Sequence, residues 1–250
     1  MCLLTLPNQA ISGAWLQKEN GGVFLHQFRV YHTEEYYDKD GDKYSDFSFL
    51  KSEYNPYGEY GLYDWLTVGG SVNAQAIRNQ DTLQNDSTDI YLNNLEVFVR
   101  SELFSEGKFT SSIEPRIYIP IRSSLSINPD GERPQPQLKL NLGYNLADSD
   151  YLDFSINYIR RDDADLKDML KTELSWDCYL NDEFSVLSQV SSETSMGRVG
   201  GGNYDLTKLQ ISGIWDKYNR KSYQLGVSYD IDGKNTGSGV GINYSVGYKF

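Results

Sequence analysis

The sequence predicts an all-β fold, a closed antiparallel β-barrel of about twelve strands, and three observations lead to this prediction. Apolar and polar side chains alternate with a period of two along most of the 250 residues, which indicates strands with two different faces. Short polar turns flanked by aromatic residues recur between these strands, and longer polar segments separate the hairpins. The last ten residues continue the alternation to the end of the chain.

That last stretch is residues 241–250 (GINYSVGYKF), and its aromatic and apolar side chains share one face of an extended strand. An alternating strand that ends on Phe250, with Tyr248 just before it, resembles the closing strand of bacterial outer-membrane barrels. The resemblance implies that Tyr248 and Phe250 form an assembly signal and that the barrel-assembly machinery is a partner. We expect this strand to pair with residues 24–30, which removes the last open edge of the sheet. Tyr244 and Tyr248 would then lie on the outside.

Composition and charge exclude several classes of function. The net charge is −12 and there is no basic stripe, so we expect no nucleic-acid partner. No apolar run approaches the roughly 18 residues of a membrane-spanning helix. Cys2 and Cys178 are too few for a disulfide framework and are expected to be unpaired. His26 and His32 are the only histidines in the sequence, so neither a multi-histidine metal site nor a cofactor is expected.

The N-terminal residues 1–14 (MCLLTLPNQAISGA) combine a short apolar piece, a helix-breaking Pro7 and small residues. This pattern predicts the tail of a secretory signal peptide, with cleavage after Ala10 or Ala14. An ordinary strand or a disordered end is the alternative. The barrel domain is then residues 15–250.

The first strand, within residues 22–33, alternates imperfectly. With a uniform register, either His26 or both Gln27 and Arg29 would face lipid, and a bulge would resolve the conflict. The acidic segment that follows has aspartates at positions 38, 40 and 42, the spacing of the first ligands of a calcium loop. Because Lys43 and Phe49 occupy positions where that motif requires Gly and Glu, we expect a solvated acidic loop without metal.

The turns and loops set the strand count. A hairpin covers residues 48–75 with a tight turn at 60–64, and four more short turns are expected at residues 104–108, 145–151, 179–184 and 216–223. Six longer loops are expected at residues 32–47, 78–87, 122–135, 161–167, 191–205 and 230–238. Five turns and six loops connect twelve strands, and both termini fall at the short-turn end, as a closed bacterial barrel requires.

A soluble sandwich or a lipocalin-like barrel would show the same alternation. Aromatic residues concentrated at strand ends, the terminal Phe250 and the apparent signal tail favour a transmembrane barrel in the bacterial outer membrane. Its outer face would then contact outer-membrane lipid.

Inward-facing charged residues are the candidate functional residues, because the lumen is the functional face of such a barrel. The predicted lumen-lining residues carry both signs and are Lys51, Glu53, Glu96, Arg100, Glu114, Arg116, Lys139, Glu173, Lys208 and Lys249. We expect many of them to form cross-strand ion pairs. They line a water-filled path for a polar solute or lock a plugged lumen, and the sequence leaves both open. A hydrolase is not expected, because no serine can be placed beside His26 or His32.

Three quoted segments carry a wider resemblance: SGAW, FLKSEYNPYGEYGLYDWLTVGG and LQISGIWDKYNRKSYQLGVSYDIDGKNTGSGVGINYSVGYKF. They resemble the XagA-type outer-membrane proteins, a family associated with gene clusters for a biofilm exopolysaccharide. The resemblance implies a non-catalytic transport or export component with a polysaccharide as partner. The alternatives are a small monomeric porin for acidic oligosaccharides, which needs a basic track, and a plugged barrel that scaffolds its surface loops.

Overall fold

The computed structural model describes residues 13–45, 47–81, 87–121, 133–147, 150–161, 167–196, 204–217 and 220–250. The described residues form twelve long strands and one two-residue strand, and no helix among them is long and apolar enough to cross a membrane. The strands are β1 (Gly22–Tyr37), β2 (Lys43–Tyr44), β3 (Phe47–Tyr63), β4 (Leu66–Asp81), β5 (Ser87–Glu106), β6 (Phe109–Pro120), β7 (Gln135–Ala147), β8 (Asp150–Ile159), β9 (Asp168–Tyr179), β10 (Phe184–Met196), β11 (Asp205–Lys217), β12 (Lys221–Lys234) and β13 (Thr236–Lys249).

Consecutive long strands pair antiparallel, and β13 returns to pair with β1, so the sheet is closed. In this closing register Val30 faces Ile242 and Phe24 faces Tyr248. Tyr244 and Tyr248 lie outside, with 41% and 38% of their surface exposed. The predicted all-β closed antiparallel barrel of twelve strands is therefore confirmed, as is its closing contact.

The five predicted short turns lie at one end of the barrel, together with the start of β1 and the end of β13. The predicted loop at residues 230–238 is wrong. Strand β12 continues to Lys234, β13 starts at Thr236, and Asn235 alone turns the chain with a φ of 50°. Asparagine tolerates this left-handed conformation. The polar residues that suggested a loop continue the barrel wall, because residues 230–234 pair with β11 and residues 236–239 pair with β1.

Strand β1 resolves its imperfect alternation by placing His26 outside and Gln27 inside. The His26 ring is half-buried among Phe24, Tyr54 and Tyr248, and its Nδ1 atom lies 2.7 Å from the Tyr54 hydroxyl. The register irregularity expected in this strand lies later, between Thr33 and Glu35. Gln27 and Arg29 thereby face the lumen.

The outer face of the barrel is apolar. Its exposed side chains include Val99, Leu140, Ile156, Leu225 and Ile242. At the short-turn end, exposed aromatic side chains stack in pairs such as Tyr63–Trp65, Phe109–Tyr144 and Phe184–Trp215. A continuous apolar exterior of this extent would aggregate in water, whereas an apolar band with an aromatic girdle matches lipid and its interface.

Candidate functional site

The inner face of the barrel is polar and holds two adjoining cavities. The outer cavity, of about 610 Å³, lies toward the long-loop end and is lined by residues such as Tyr31, Lys51, Asn93 and Tyr204. The inner cavity, of about 450 Å³, is lined by residues of β1 and of β6 to β12 and extends toward the short-turn end. Both are lined by Arg29, Lys171, Glu193 and Lys208, so the two cavities adjoin along these four side chains.

Charges of the outer cavity balance each other. Its four basic side chains are Arg29, Lys51, Lys171 and Lys208, and its four acidic ones are Glu53, Glu96, Glu193 and Asp230. The ion pairs are Arg29–Glu53 at 3.7 Å, Lys51–Glu53 at 3.3 Å, Lys171–Glu193 at 2.8 Å and Lys208–Asp230 at 3.5 Å. A wall neutralised in this way offers no basic track to an acidic solute.

Asp230 is the most enclosed of these acids, with none of its surface exposed. The Tyr31 hydroxyl donates a hydrogen bond to its Oδ2 atom at 2.6 Å, and the backbone N–H of Gly239 donates to the same atom at 3.1 Å. These bonds hold the carboxylate against the wall, where it faces Lys208. The end of β12 and the start of β13 therefore contribute to the wall of the cavity.

A second group of charges, the arginine cluster, lies on β3, β5 and β6 toward the short-turn end. Arg100 contacts Glu59 at 2.8 Å and Glu114 at 2.6 Å. Arg116 contacts Glu114 at 2.5 Å and Glu96 at 2.6 Å. The Arg100 and Glu114 side chains are 3% and 0% exposed, so the cluster is a packed ionic core within the wall.

Residues 13–20, which we call the inner segment, precede β1 and lie inside the barrel along β3 to β8. The backbone N–H of Ala14 donates to Asp153 of β8, and the Ser112 hydroxyl of β6 donates to the Gly13 carbonyl. The Arg100 guanidinium donates to the Trp15 carbonyl at 3.3 Å. The inner segment is thus bonded to about half of the circumference at the short-turn end.

The second half of the inner segment is bonded to β3 and β4. The Gln17 side chain donates to Glu59 at 2.9 Å, and its backbone N–H donates to the Thr67 hydroxyl, also at 2.9 Å. Gly61 lies directly beneath, because a Cβ atom there would come within 2.1 Å of the Lys18 carbonyl oxygen. The wall under the inner segment therefore depends on a residue without a side chain.

The predicted lumen-lining residues lie in the two cavities, in the arginine cluster and in one further ion pair. Lys51, Glu53, Glu96 and Lys208 line the outer cavity, and Lys139 and Glu173 line the inner cavity. Arg100, Glu114 and Arg116 form the arginine cluster, and Lys249 contacts Asp216 at 2.9 Å. Among the described residues, Lys139 and Glu173 take part in no ion pair.

The inner segment and two buried acids were missed from sequence. Asp177 and Asp230 lie on the same strand faces as residues that were selected, so the phase of the alternation would have found them. No comparable signal marks the inner segment. The expected signal tail overlaps it: residues 1–12 lie outside the described part of the chain, and Gly13 and Ala14 lie in the lumen. Cleavage after Ala10 would leave the inner segment whole, and cleavage after Ala14 would remove its first two residues.

One serine does lie beside a histidine, on the outer face near the long-loop end. Ser48 Oγ is 3.4 Å from His32 Nε2, and Glu34 Oε1 is 3.9 Å from the same nitrogen. A hydrolytic triad needs the acid on one ring nitrogen and the nucleophile on the other. Because both groups approach Nε2, this arrangement does not form one.

The acidic loop does not gather its carboxylates around a cation. The Asp38 carboxylate accepts hydrogen bonds from the backbone N–H groups of Asp40 and Asp42, at 2.8 and 2.9 Å. Within the described part of the chain, no group of three or more His, Cys, Asp or Glu side chains has the geometry of a metal site.

Comparison with solved structures identifies the architecture. The COG4313 outer membrane channel from Pseudomonas putida F1 superposes with a TM-score of 0.76 at 14% identity, over 95% of this chain and 98% of that one. This is an outer-membrane barrel fold. The NanC porin gives a TM-score of 0.59 at 10% identity, over 89% of this chain and 100% of that one. The KdgM porin, also solved in complex with oligogalacturonate, gives 0.53 at 12% identity, over 90% of this chain and 99% of that one.

At these identities the likeness concerns the fold. No protein-family model matches the sequence, and no curated protein matches it significantly. The closed barrel, its apolar exterior and its aromatic girdle locate the protein in the bacterial outer membrane, with the short-turn end toward the periplasm.

Proposed function

We propose that this protein is a non-catalytic transport or export component of the outer membrane that takes a polar, hydroxyl-rich solute. The observation that carries the proposal is the pair of adjoining polar cavities inside the barrel, which share Arg29, Lys171, Glu193 and Lys208. Paired charges, amides and hydroxyls line them, and these groups exchange hydrogen bonds with a hydrated solute without requiring a net charge.

We further propose that the solute is an exopolysaccharide and that the protein serves its secretion in biofilm formation. Support comes from the resemblance to the XagA-type proteins and from the chemistry of the wall. Several of its buried acceptor atoms, such as Oδ1 of Asn55, Asn73 and Asn157, have no hydrogen-bond partner among the described residues. Saccharide hydroxyl groups supply the donors that such acceptors match.

A porin for acidic oligosaccharides is less well supported. Such a porin needs unpaired inward Lys and Arg side chains. Among the cavity-lining Lys and Arg residues that the structure describes, all except Lys139 are paired with a carboxylate. The fold shared with KdgM does not carry its ligand over at 12% identity. In this proposal the positive and negative side chains that line the lumen therefore neutralise each other and leave a polar surface with little net charge.

A plugged barrel that scaffolds its loops is the second candidate, and the inner segment favours it. Backbone and side-chain bonds to Asp153, Ser112, Arg100, Glu59 and Thr67 hold that segment at the periplasmic end. Transport then requires either displacement of the segment or passage along the opposite wall.

Two measurements test the proposal together. Purified protein in planar bilayers should give discrete conductance steps, and deletion of the gene should reduce secreted polysaccharide, with restoration by the wild-type gene. Absence of conductance together with unchanged secretion would overturn transport. A loss of surface phenotype on replacing the acidic loop, without any conductance, would favour the scaffold.

A further inference from the structure

Asp177 is a buried carboxylate on the inner face of β9 that lines the inner cavity. Its exposed fraction is 3%. The Ser185 hydroxyl lies near it, yet neither carboxylate oxygen has a hydrogen-bond partner of good geometry among the described residues. Burying an ionised carboxylate without a partner costs several kcal/mol in most proteins. A carboxylate buried at this cost indicates a binding position, where a ligand supplies the missing hydrogen-bond donor and positive charge.

The cations around the inner cavity do not neutralise Asp177. Lys249 is the basic side chain that acts on it, and Lys249 is already bonded to Asp216 at 2.9 Å. Lys171 and Lys208 are bonded to Glu193 and Asp230, and Arg116 belongs to the arginine cluster.

Lys139 takes part in no ion pair among the described residues, but it lies at a different level of the barrel. Its position on β7 aligns through Asn157 of β8 with Lys171 of β9. Asp177 is six positions further along β9 than Lys171. At the rise of a β-strand that separation is roughly 20 Å, too far for a direct ion pair.

A second carboxylate continues the same wall. Glu173 lies four positions before Asp177 on the same face of β9, roughly 13 Å away, and also lines the inner cavity without an ion pair among the described residues. Asp153, on neighbouring β8, accepts the backbone N–H of Ala14. The β8–β9 side of the cavity therefore carries three carboxylates and one basic side chain, Lys171, which is already bonded to a glutamate of β10.

We propose that Asp177 is a binding position for the protonated amine of the transported solute, which would be a saccharide that carries free amino groups. The inference rests on the proposed transport function and names its substrate class. An ammonium group donates three hydrogen bonds and supplies the positive charge that Asp177 lacks, and charge-assisted bonds of this kind are about twice as strong as neutral ones. Glu173 provides a further anionic position along the wall.

The test compares two oligosaccharides that differ only in acetylation. Glucosamine trimer and N-acetylglucosamine trimer are titrated into the full-length protein in detergent micelles and followed by calorimetry. Wild type should bind the amine form roughly tenfold more tightly. Asp177→Asn should bring the two affinities together, and Asp182→Asn, an exposed carboxylate in the β9–β10 turn, is the control with the same change of net charge and should keep the preference.

Raising the pH above the range in which the amine is protonated should also remove the preference, since the neutral amine no longer attracts Asp177.

Asp177→Asn should fold, because it removes a buried charge and keeps the shape of the side chain; heat-modifiable migration on gels checks this. Equal binding of both trimers to wild type, no binding of either, or a preference that survives Asp177→Asn overturns the inference. If conductance and the secretion phenotype remain in that case, the transport function stands; if they are also absent, both fall.

Discussion

Arg100 and Glu59 lie on strands separated by β4, yet their side chains meet at 2.8 Å and are only 3% and 2% exposed. Glu59 also accepts a hydrogen bond from Gln17, and Arg100 donates one to the Trp15 carbonyl. One ion pair thus joins the wall of the barrel to the inner segment. The ion pairs of the outer cavity neutralise its wall. Arg100 and Glu59, in contrast, fix the inner segment against the inside of the barrel.

Replacing Arg100 should therefore destabilise the barrel. Arg100→Ala leaves Glu59 and Glu114 buried without their main cation, which typically costs about 3–5 kcal/mol. We expect a loss of that order in the free energy of unfolding, measured by urea titration of the refolded protein in micelles. Lys234→Ala, in the exposed β12–β13 hairpin, is the control and should change the free energy little. A change below about 1 kcal/mol for Arg100→Ala would mean that the cluster is hydrated and does not form a packed core.

Displacing the inner segment should open the short-turn end. Gly61→Ala places a Cβ atom 2.1 Å from the Lys18 carbonyl oxygen, so the segment has to move away from β3. Single-channel conductance in planar bilayers should then rise above that of wild type. Gly213→Ala is the matched control, because a Cβ atom there has nothing within 4 Å. Equal conductance for Gly61→Ala and wild type would show that the segment does not restrict the path.

The balance of charge in the outer cavity predicts which oligosaccharides enter. A neutral maltotriose should enter proteoliposomes faster than a galacturonate trimer of similar size, because Arg29, Lys51, Lys171 and Lys208 are committed to carboxylates. Osmotic swelling of liposomes that contain wild type or Gly61→Ala measures both rates. Faster entry of the acidic trimer would instead support the acidic-oligosaccharide porin.

The terminal ring of Phe250 can be separated from the backbone that closes the barrel. The Phe250 backbone exchanges hydrogen bonds with Gly22, at 3.0 and 2.9 Å, and Phe250→Ala keeps both. If Phe250 is an assembly signal, this variant should assemble poorly in cells but refold normally in detergent, as judged by heat-modifiable migration on gels. Phe109→Ala, which removes another exposed girdle aromatic, should assemble normally. Normal assembly of Phe250→Ala would remove the assembly role.

The sequence was sufficient for the barrel because its information is local and repeated. Every strand has to separate lipid-facing from lumen-facing side chains, so a period of two survives even where Pro115 or Gly70 interrupts it. The closing contact followed from the same rule, since the last strand had to pair with residues 24–30 to remove the open edge and place Tyr244 and Tyr248 outside. The error at residues 230–238 arose because the polar strand ends at the long-loop end of the barrel have the composition of a loop.

The inner site was less accessible to prediction for a physical reason. The contact between Gln17 and Glu59 joins residues 42 positions apart through the lumen, and that between Ala14 and Asp153 joins residues 139 positions apart. The alternation of polar and apolar residues around Glu59 or Asp153 is the same whether or not the inner segment contacts them, so the sequence carries no sign of these contacts. Which inward charges pair across the lumen, and which ones remain unpaired, depends on the strand register and on the inner segment together.

The inner segment is covalently joined to β1, and this makes it an intramolecular ligand of its own barrel. Once displaced it cannot diffuse away, because residue 21 connects it directly to Gly22. A flexible tether of this length holds its end at an effective concentration in the millimolar range. Rebinding is therefore a first-order process that needs no second protein and does not depend on how much barrel the membrane contains. A solute that displaces the segment competes with this constant internal concentration, so the threshold for opening is set by the chain itself.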